Sequence, residues 1–323
     1  MSKPQAIITR RWPEEVEARL TEHFDVQFSR DDEPMSPEAL RHAFSAYDAV
    51  FPTVTDKIDA DVLAVEPMRA RLIGNFGVGF NNIDIDAAKS RGLVVTNTPG
   101  VLTDTTADLA MTLLLSVARR AGEGERHARS GDWTGWRPTH MMGTQVTGKT
   151  LGLIGFGRIG QATARRAHLG FNMRILFFNR SPCAKDVCES LGAEQLGSIE
   201  EVLENSDFVS LHCPATPETR HLINAERLAA MKPGAFLINT ARGDVVDEAA
   251  LCHALDIGQI AGAGLDVFEN EPEVSSGLLD RENVVLLPHL GSATSETRIA
   301  MGNKVLENAK AYFAGAEPPN RVV

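Results

Sequence analysis

Leu151-Gly152-Leu153-Ile154-Gly155-Phe156-Gly157-Arg158-Ile159-Gly160 is an apolar run, a G-x-G-x-x-G loop and a helix start, in that order. The order carries more information than the glycines. The run 151–154 predicts a short buried strand, and Ile159–Leu169 reads as a helix. Between them Gly155 permits a tight turn, Gly157 lets backbone approach a pyrophosphate, and Gly160 lets the helix pack on the strand. The helix start offers N–H groups to phosphate oxygens. A second apolar run, Arg174–Phe178, follows. Strand, loop, helix and strand together predict a dinucleotide site rather than an empty turn.

Outward from this stretch the alternation continues. Phe208–Leu211, Ala235–Asn239, Gly262–Val267 and Val284–Leu287 read as further strands, with helices at Ile199–Asn205, Ala225–Met231 and Glu248–Ile257. Six strands with crossover helices predict a doubly wound parallel sheet of Rossmann type. Upstream, Ala6–Ile8, Ala49–Phe51, Leu72-Ile73 and Leu93–Val95 read as strands, and Pro13–Glu22 and Ser36–Phe44 as helices. Ser36-Pro37 supplies an N-cap with Pro at the first helical position. This part is a second, smaller α/β unit. Val101–Arg120 is apolar almost all round and predicts a buried helix, whereas Gly122–Gly148 is polar and too long for a plain connection.

The strand ending at Phe178 is followed by Asn179-Arg180-Ser181. A site built for NAD places a carboxylate here, on the ribose 2′-OH. A guanidinium and a hydroxyl suit a 2′-phosphate instead. NADP is the expected cofactor, with NAD as the alternative if Arg180 is only a solvated loop residue.

Three charged residues stand at expected strand ends: Arg242 after Ala235–Asn239, Glu271 after Gly262–Val267, and His289 after Val284–Leu287. In an open α/β sheet, ligands bind beyond the carboxyl ends of the strands, so residues far apart in sequence can converge. Their chemistry fits a 2-oxo acid. An Arg can grip a carboxylate and polarise the neighbouring carbonyl. A His can protonate the oxygen as hydride reaches the carbon, and a carboxylate beside it favours the imidazolium. Each residue alone also has a plain structural reading, as ion pair, loop carboxylate or hydrogen-bonded histidine.

Composition narrows the class. At 323 residues the chain is long enough for two domains. The net charge of −11 argues against nucleic acid and anionic membranes as partners. Cys183, Cys188, Cys213 and Cys252 form no C-x-x-C pair and no metal spacing, which fits reduced thiols. The first ten residues lack a signal-peptide core, and no run of 18 apolar residues exists. A cytoplasmic protein is expected.

The chain resembles the D-2-hydroxyacid dehydrogenases along nearly its whole length. The resemblance rests on Gly77–Asp84 (GVGFNNID), Asn97–Asp104 (NTPGVLTD), the glycine loop, His212-Cys213-Pro214, Asn239–Gly243 (NTARG), Gly264–Pro272 (GLDVFENEP) and Pro288–Thr294 (PHLGSAT). Val101–Asp104 and Asn172–Ile175 are most similar to glyoxylate and hydroxypyruvate reductases. The resemblance implies a substrate domain of flavodoxin-like α/β fold from 1–99 and 290–323, and a dinucleotide-binding domain from 100–289. It assigns Arg242 as substrate clamp, Glu271 as partner of the histidine and His289 as acid/base. It sets the Val78-Gly79 backbone and Ser292 at the substrate. Around the cofactor it sets Thr106, Arg158, Ile159, Cys213, Pro214, Thr219, Thr240, Ala241, Arg242, Asp266, His289 and Gly291. It also implies a homodimer held through Gly122–Gly148, with Trp133 and Trp136 either reaching the partner's site or simply packing. Two departures stand out: Asn179, where family members that use NAD often carry Asp, and Gly100 after Asn97-Thr98-Pro99.

Two other readings share these features. A short phosphoglycerate dehydrogenase would need basic residues for a second anionic group, and Gly77–Asp84 has none; no regulatory domain is expected after Val323. A non-enzymatic NAD(H)-sensing corepressor scaffold can keep the same triad, but no basic or docking extension is evident in the sequence.

Overall fold

Short apolar runs joined by helices bury their faces most readily as parallel strands with crossover helices. The computed structural model describes residues 2–29 and 32–323 and divides into two units, Met1–Leu102 with Ala293–Val323, and Thr103–Ser292.

The first unit runs β1 (Gln5–Ile8), α1 (Glu14–His23), β2 (Asp25–Gln27), α2 (Pro37–Ala46), β3 (Ala49–Phe51), α3 (Ala60–Leu63), β4 (Leu72–Gly74), α4 (Ile85–Ser90) and β5 (Val94–Thr96). Its sheet has the order β2-β1-β3-β4-β5, all parallel. That is the flavodoxin-like order. Ser36 caps α2 by accepting the Ala39 N–H, with Pro37 at the first helical position. Leu40, Phe44, Val50, Ile58 and Ile73 form its buried core. Each such side chain contributes about 1.5–3 kcal/mol on leaving water.

The second unit runs α5 (Thr103–Ala118), α6 (Ala121–Ser130), β6 (Thr150–Ile154), α7 (Arg158–Phe171), β7 (Arg174–Phe178), α8 (Lys185–Ser190), β8 (Ala193–Gln195), α9 (Ile199–Asn205), β9 (Phe208–Leu211), α10 (Ala225–Ala230), β10 (Phe236–Asn239), α11 (Glu248–Asp256), β11 (Gly262–Leu265), α12 (Ser276–Leu279) and β12 (Val284–Leu286). α13 (Ser295–Phe313) then returns the chain to the first unit. The second sheet is parallel and ordered β12-β11-β10-β9-β6-β7-β8. It has seven strands where six were expected. β8 reads Ala-Glu-Gln, so this edge strand lacks the apolar run that marks the others.

Register fixes where the loops emerge. Ile154 pairs with Phe178 and Leu211, Asn239 with Leu211 and Leu265, and Leu265 with Leu286. The strands therefore end level, and the loops after β6, β7, β9, β10, β11 and β12 share one edge of the sheet. The order reverses between β6 and β9, the switch point where such sheets bind ligands. The units divide three residues later than the expected boundaries at 99 and 289. Leu290 and Gly291 stay with the second unit because their N–H groups donate to Asp266. Among the described residues no helix is long and apolar enough to cross a membrane.

Candidate active site

The glycine loop has the shape its residues predict. Gly155 stands at φ 94°, and a Cβ there would lie 2.7 Å from the His212 carbonyl oxygen. A Cβ on Gly160 would lie 2.5 Å from the Gly155 oxygen, so α7 sits directly on the turn. Gly157, the N-cap of α7, instead faces open space with nothing within 4 Å. That opening at a helix N-terminus fits a pyrophosphate. Arg158 is exposed and Ile159 half-buried on the first turn. The Thr240 hydroxyl is buried and has no hydrogen-bond partner among the described residues. Such a group calls for a polar ligand.

Beside this loop the 179–183 turn is tightly held. Asn179 Oδ1 accepts the Phe156 N–H at 3.3 Å, and Asn179 Nδ2 donates to the Ser181 carbonyl at 3.0 Å. Gln195 on β8 donates to the carbonyls of Asn179 and Ser181 and accepts the Cys183 N–H. Arg180 is exposed, and its charge reaches Glu218 and Cys213. After β9, burial pushes the Cys213 thiol up to about 11. The Pro214 carbonyl accepts from the Thr219 hydroxyl at 2.7 Å, within a capping box of Thr216 and Thr219. Gln195 belongs to the strand that the sequence did not reveal, and no motif pointed to it.

The three charged residues lie on the same sheet edge. His289 Nδ1 is 2.8 Å from Glu271 Oε2, and Glu271 Oε1 accepts the Phe268 N–H at 3.0 Å. Burial pushes the Glu271 carboxyl up. The hydrogen bond and charge of His289, the Phe268 amide and Arg242 outweigh it and hold the group below the usual carboxylate range. Arg242 donates from Nη1 to the Ala241 carbonyl, while the Ala241 N–H donates to Asn239 Oδ1. Burial lowers the Arg242 guanidinium's pKa, opposed by the charges of Glu271 and Asp244. An arginine nonetheless stays protonated.

Asp266, one residue past β11, supports the His289 turn. Its carboxylate accepts from Leu290 and Gly291, and its carbonyl accepts the His289 N–H at 2.9 Å. His289 adopts a left-handed backbone, φ 54°. The Gly291 carbonyl accepts from Thr106 Oγ1 at 2.8 Å, and Ser292 closes the unit.

Val78 and Gly79 belong to the first unit. Three successive carbonyls around them are taken. Asn75 Nδ2 donates to Gly79 at 2.8 Å and to Gly77 at 3.4 Å, and Asn97 Nδ2 donates to Val78 at 2.8 Å. Asn75 was not visible as a supporting residue in the sequence, because only the folded turn shows what its amide meets.

A doubly wound sheet with a glycine loop at its switch point, and a His–carboxylate pair with an arginine at its strand ends, defines a nicotinamide-dinucleotide oxidoreductase. Residues 111–291 match the family described as D-isomer specific 2-hydroxyacid dehydrogenase, NAD binding domain. The chain is 48% identical to the glyoxylate reductase of Korarchaeum cryptofilum (strain OPF8), over 99% of this chain and 96% of that one. It superposes with a TM-score of 0.88 on the NADPH-dependent glyoxylate/hydroxypyruvate reductase of Sinorhizobium meliloti in complex with NADP and malonate, at 37% identity, covering 100% of this chain and 97% of the other. The glyoxylate reductase from Paecilomyes thermophila also gives 0.88, at 32% identity over 100% and 99%. The chain belongs to the D-isomer-specific 2-hydroxyacid dehydrogenase family, and its substrate is a small 2-oxo or 2-hydroxy acid.

Proposed function

We propose that the protein reduces glyoxylate, and hydroxypyruvate beside it, to the D-2-hydroxy acid with NADPH. The observation that carries the reading is the 2.8 Å contact of His289 Nδ1 with Glu271, on the strand-end edge that also bears Arg242. When bound, the reduced nicotinamide supplies the hydride. Glu271 occupies Nδ1 of His289, which leaves Nε2 as the proton-donating atom. Arg242 binds the substrate carboxylate through two N–H groups and polarises the 2-oxo group. Ser292, in the same unit, joins it in holding the substrate.

The cofactor lies along the same edge. Gly157, Arg158 and Ile159 take the pyrophosphate on the turn that Gly155 and Gly160 shape, and Asn179, Arg180 and Ser181 the 2′-phosphate. Cys213, Pro214, Thr219, Thr240, Ala241, Asp266 and Gly291 line the rest. The exposed Trp133 (57%), Trp136 (81%) and Met142 (67%) support a homodimer through this segment.

A steady-state panel tests the reading. Glyoxylate, hydroxypyruvate, pyruvate and phenylpyruvate are each reduced with NADPH and with NADH. We expect glyoxylate and hydroxypyruvate to give the highest kcat/KM; a branched or aromatic acid as best substrate overturns it.

A further inference from the structure

His221 follows the 3-10 turn Pro217–Thr219 and precedes α10. Like His289, it stands in the left-handed region, at φ 48°. A residue with a side chain persists there only where its surroundings hold it. His221 is held at two points. Its backbone N–H donates to the Asp244 carbonyl at 2.7 Å, two residues past Arg242. Its Nε2 lies 2.6 Å from Glu269 Oε1, two residues before Glu271. One residue thus touches both the loop that bears Arg242 and the loop that bears Glu271.

The loops also meet directly. A Cβ on Gly243 would lie 1.9 Å from the Phe268 carbonyl carbon, so the two backbones are in contact with no room for a side chain. Beneath them, Glu248 at the start of α11 is buried and accepts the Glu269 N–H at 2.7 Å. Burial holds the Glu248 carboxyl above its usual range, with the charges of Glu269 and Glu271 adding to the effect. Arg220 stands 3.6 Å from Glu269. Glu271 itself is anchored by the Phe268 amide, within its own loop. Gly243, Glu248 and His221 therefore all hold the loop in place, beside the burial of Phe268 in the core.

We propose that His221 is a positioning residue for the reaction: it locks the Arg242 and Glu271 loops together and so fixes Glu271 against His289. The inference rests on the reading of Glu271–His289 as the acid pair. Without the imidazole, the Glu269 side chain keeps only Arg220, and the loop loses one of its anchors. Displacement of Glu271 weakens its charge interaction with His289. The other charges around the pair are Arg242, Asp244, Glu248 and Asp266.

The test compares His221→Ala, His221→Gln, Glu269→Gln and Glu271→Gln, measuring kcat, KM for glyoxylate, NADPH Kd, melting temperature and the pH profile of reduction. His221→Ala is expected to lower kcat about ten- to a hundredfold, as an ångström-scale misplacement does. NADPH Kd should stay near wild type. The alkaline limb of the profile should move to lower pH, in the direction of Glu271→Gln. His221→Gln keeps an N–H donor for Glu269 and should restore most of both. Should His221→Ala fail to fold, Glu269→Gln, which removes the charge at the same contact, gives the same readouts. A limb that moves in Glu271→Gln but stays put in the His221 and Glu269 variants overturns this inference alone. A limb unmoved in Glu271→Gln removes the acid-pair reading, and this inference with it.

Discussion

Asp266 Oδ1 accepts the N–H of Leu290 at 2.6 Å, while Oδ2 accepts that of Gly291 at 2.8 Å. Both carboxylate oxygens are thus committed to the turn that carries His289. Asp266→Asn sets an amide NH2 against one of the two N–H groups and leaves that group without an acceptor. A buried unmet donor costs about 1–3 kcal/mol. We expect the turn to loosen and kcat to fall about tenfold or more, within the range that misplaced catalytic groups produce. A variant with wild-type kcat refutes the role.

The same residue gives a pH signature. Burial pushes the Asp266 carboxyl up to about 6, despite the two amides and the charge of His289; Glu271 pushes it further up. In the unfolded chain the value is about 3.9. A raised folded pKa means that the stability from protonated Asp266 is full below about 4 and lost as pH rises through about 6. Melting temperatures of wild type and Asp266→Asn, measured from pH 4 to pH 7, should therefore shift in the wild type's favour as pH falls. A difference independent of pH contradicts the assignment.

For the acid pair, Glu271→Gln should move the pH profile of reduction to lower pH. His289 holds Glu271 below the usual carboxylate range, so the charge of this carboxylate is part of the contact. Gln keeps the shape and removes the charge from the contact with His289 Nδ1. His289→Ala should remove most of kcat, since proton delivery contributes typically about 10²–10⁴-fold. The readout is kcat against pH, and an unmoved profile in Glu271→Gln excludes the carboxylate from this role.

Much of this arrangement was legible in the sequence because parallel sheets align strand ends. Apolar runs such as Phe208–Leu211 mark strands, and a charged residue just beyond each run falls on the binding edge. Part of what stayed hidden lacked an apolar signal. β2 (Asp-Val-Gln) and β8 (Ala-Glu-Gln) are edge strands with few core side chains, and α6 has no buried residue. His221 and Asn75 were invisible for another reason. Their importance lies in a backbone angle and in contacts that exist only after folding, such as His221 with Glu269, 48 residues away.

Arg242 should be indispensable for the substrate rather than for the cofactor. Arg242→Ala removes the carboxylate grip and the polarisation of the carbonyl together, and loss of one such donor costs about 10²–10³-fold. We expect kcat/KM for glyoxylate to fall by at least that much, with NADPH Kd nearly unchanged. A loss below about tenfold, roughly 1.4 kcal/mol, excludes the clamp.

The proposed preference for NADPH rests on the turn after β7. Arg180 is exposed there, and Asn179 presents no carboxylate to repel a 2′-phosphate. A charge-assisted hydrogen bond from Arg180 contributes about 1.5–3 kcal/mol, which is roughly ten- to a hundredfold in affinity. We therefore expect kcat/KM to favour NADPH over NADH. Asn179→Asp with Arg180→Ala should invert the ratio, because it adds a repulsive charge as well as deleting an attractive one. The turn should survive the change. The Asn179→Asp side chain keeps an oxygen for the Phe156 N–H. The bond from Asn179 Nδ2 to the Ser181 carbonyl is lost, but Gln195 still donates to the carbonyls of residues 179 and 181. The measurement is the NADPH/NADH ratio of kcat/KM in wild type and double variant, with melting temperature as the control on folding. A wild-type ratio that favours NADH means that Arg180 points into solvent and takes no 2′-phosphate.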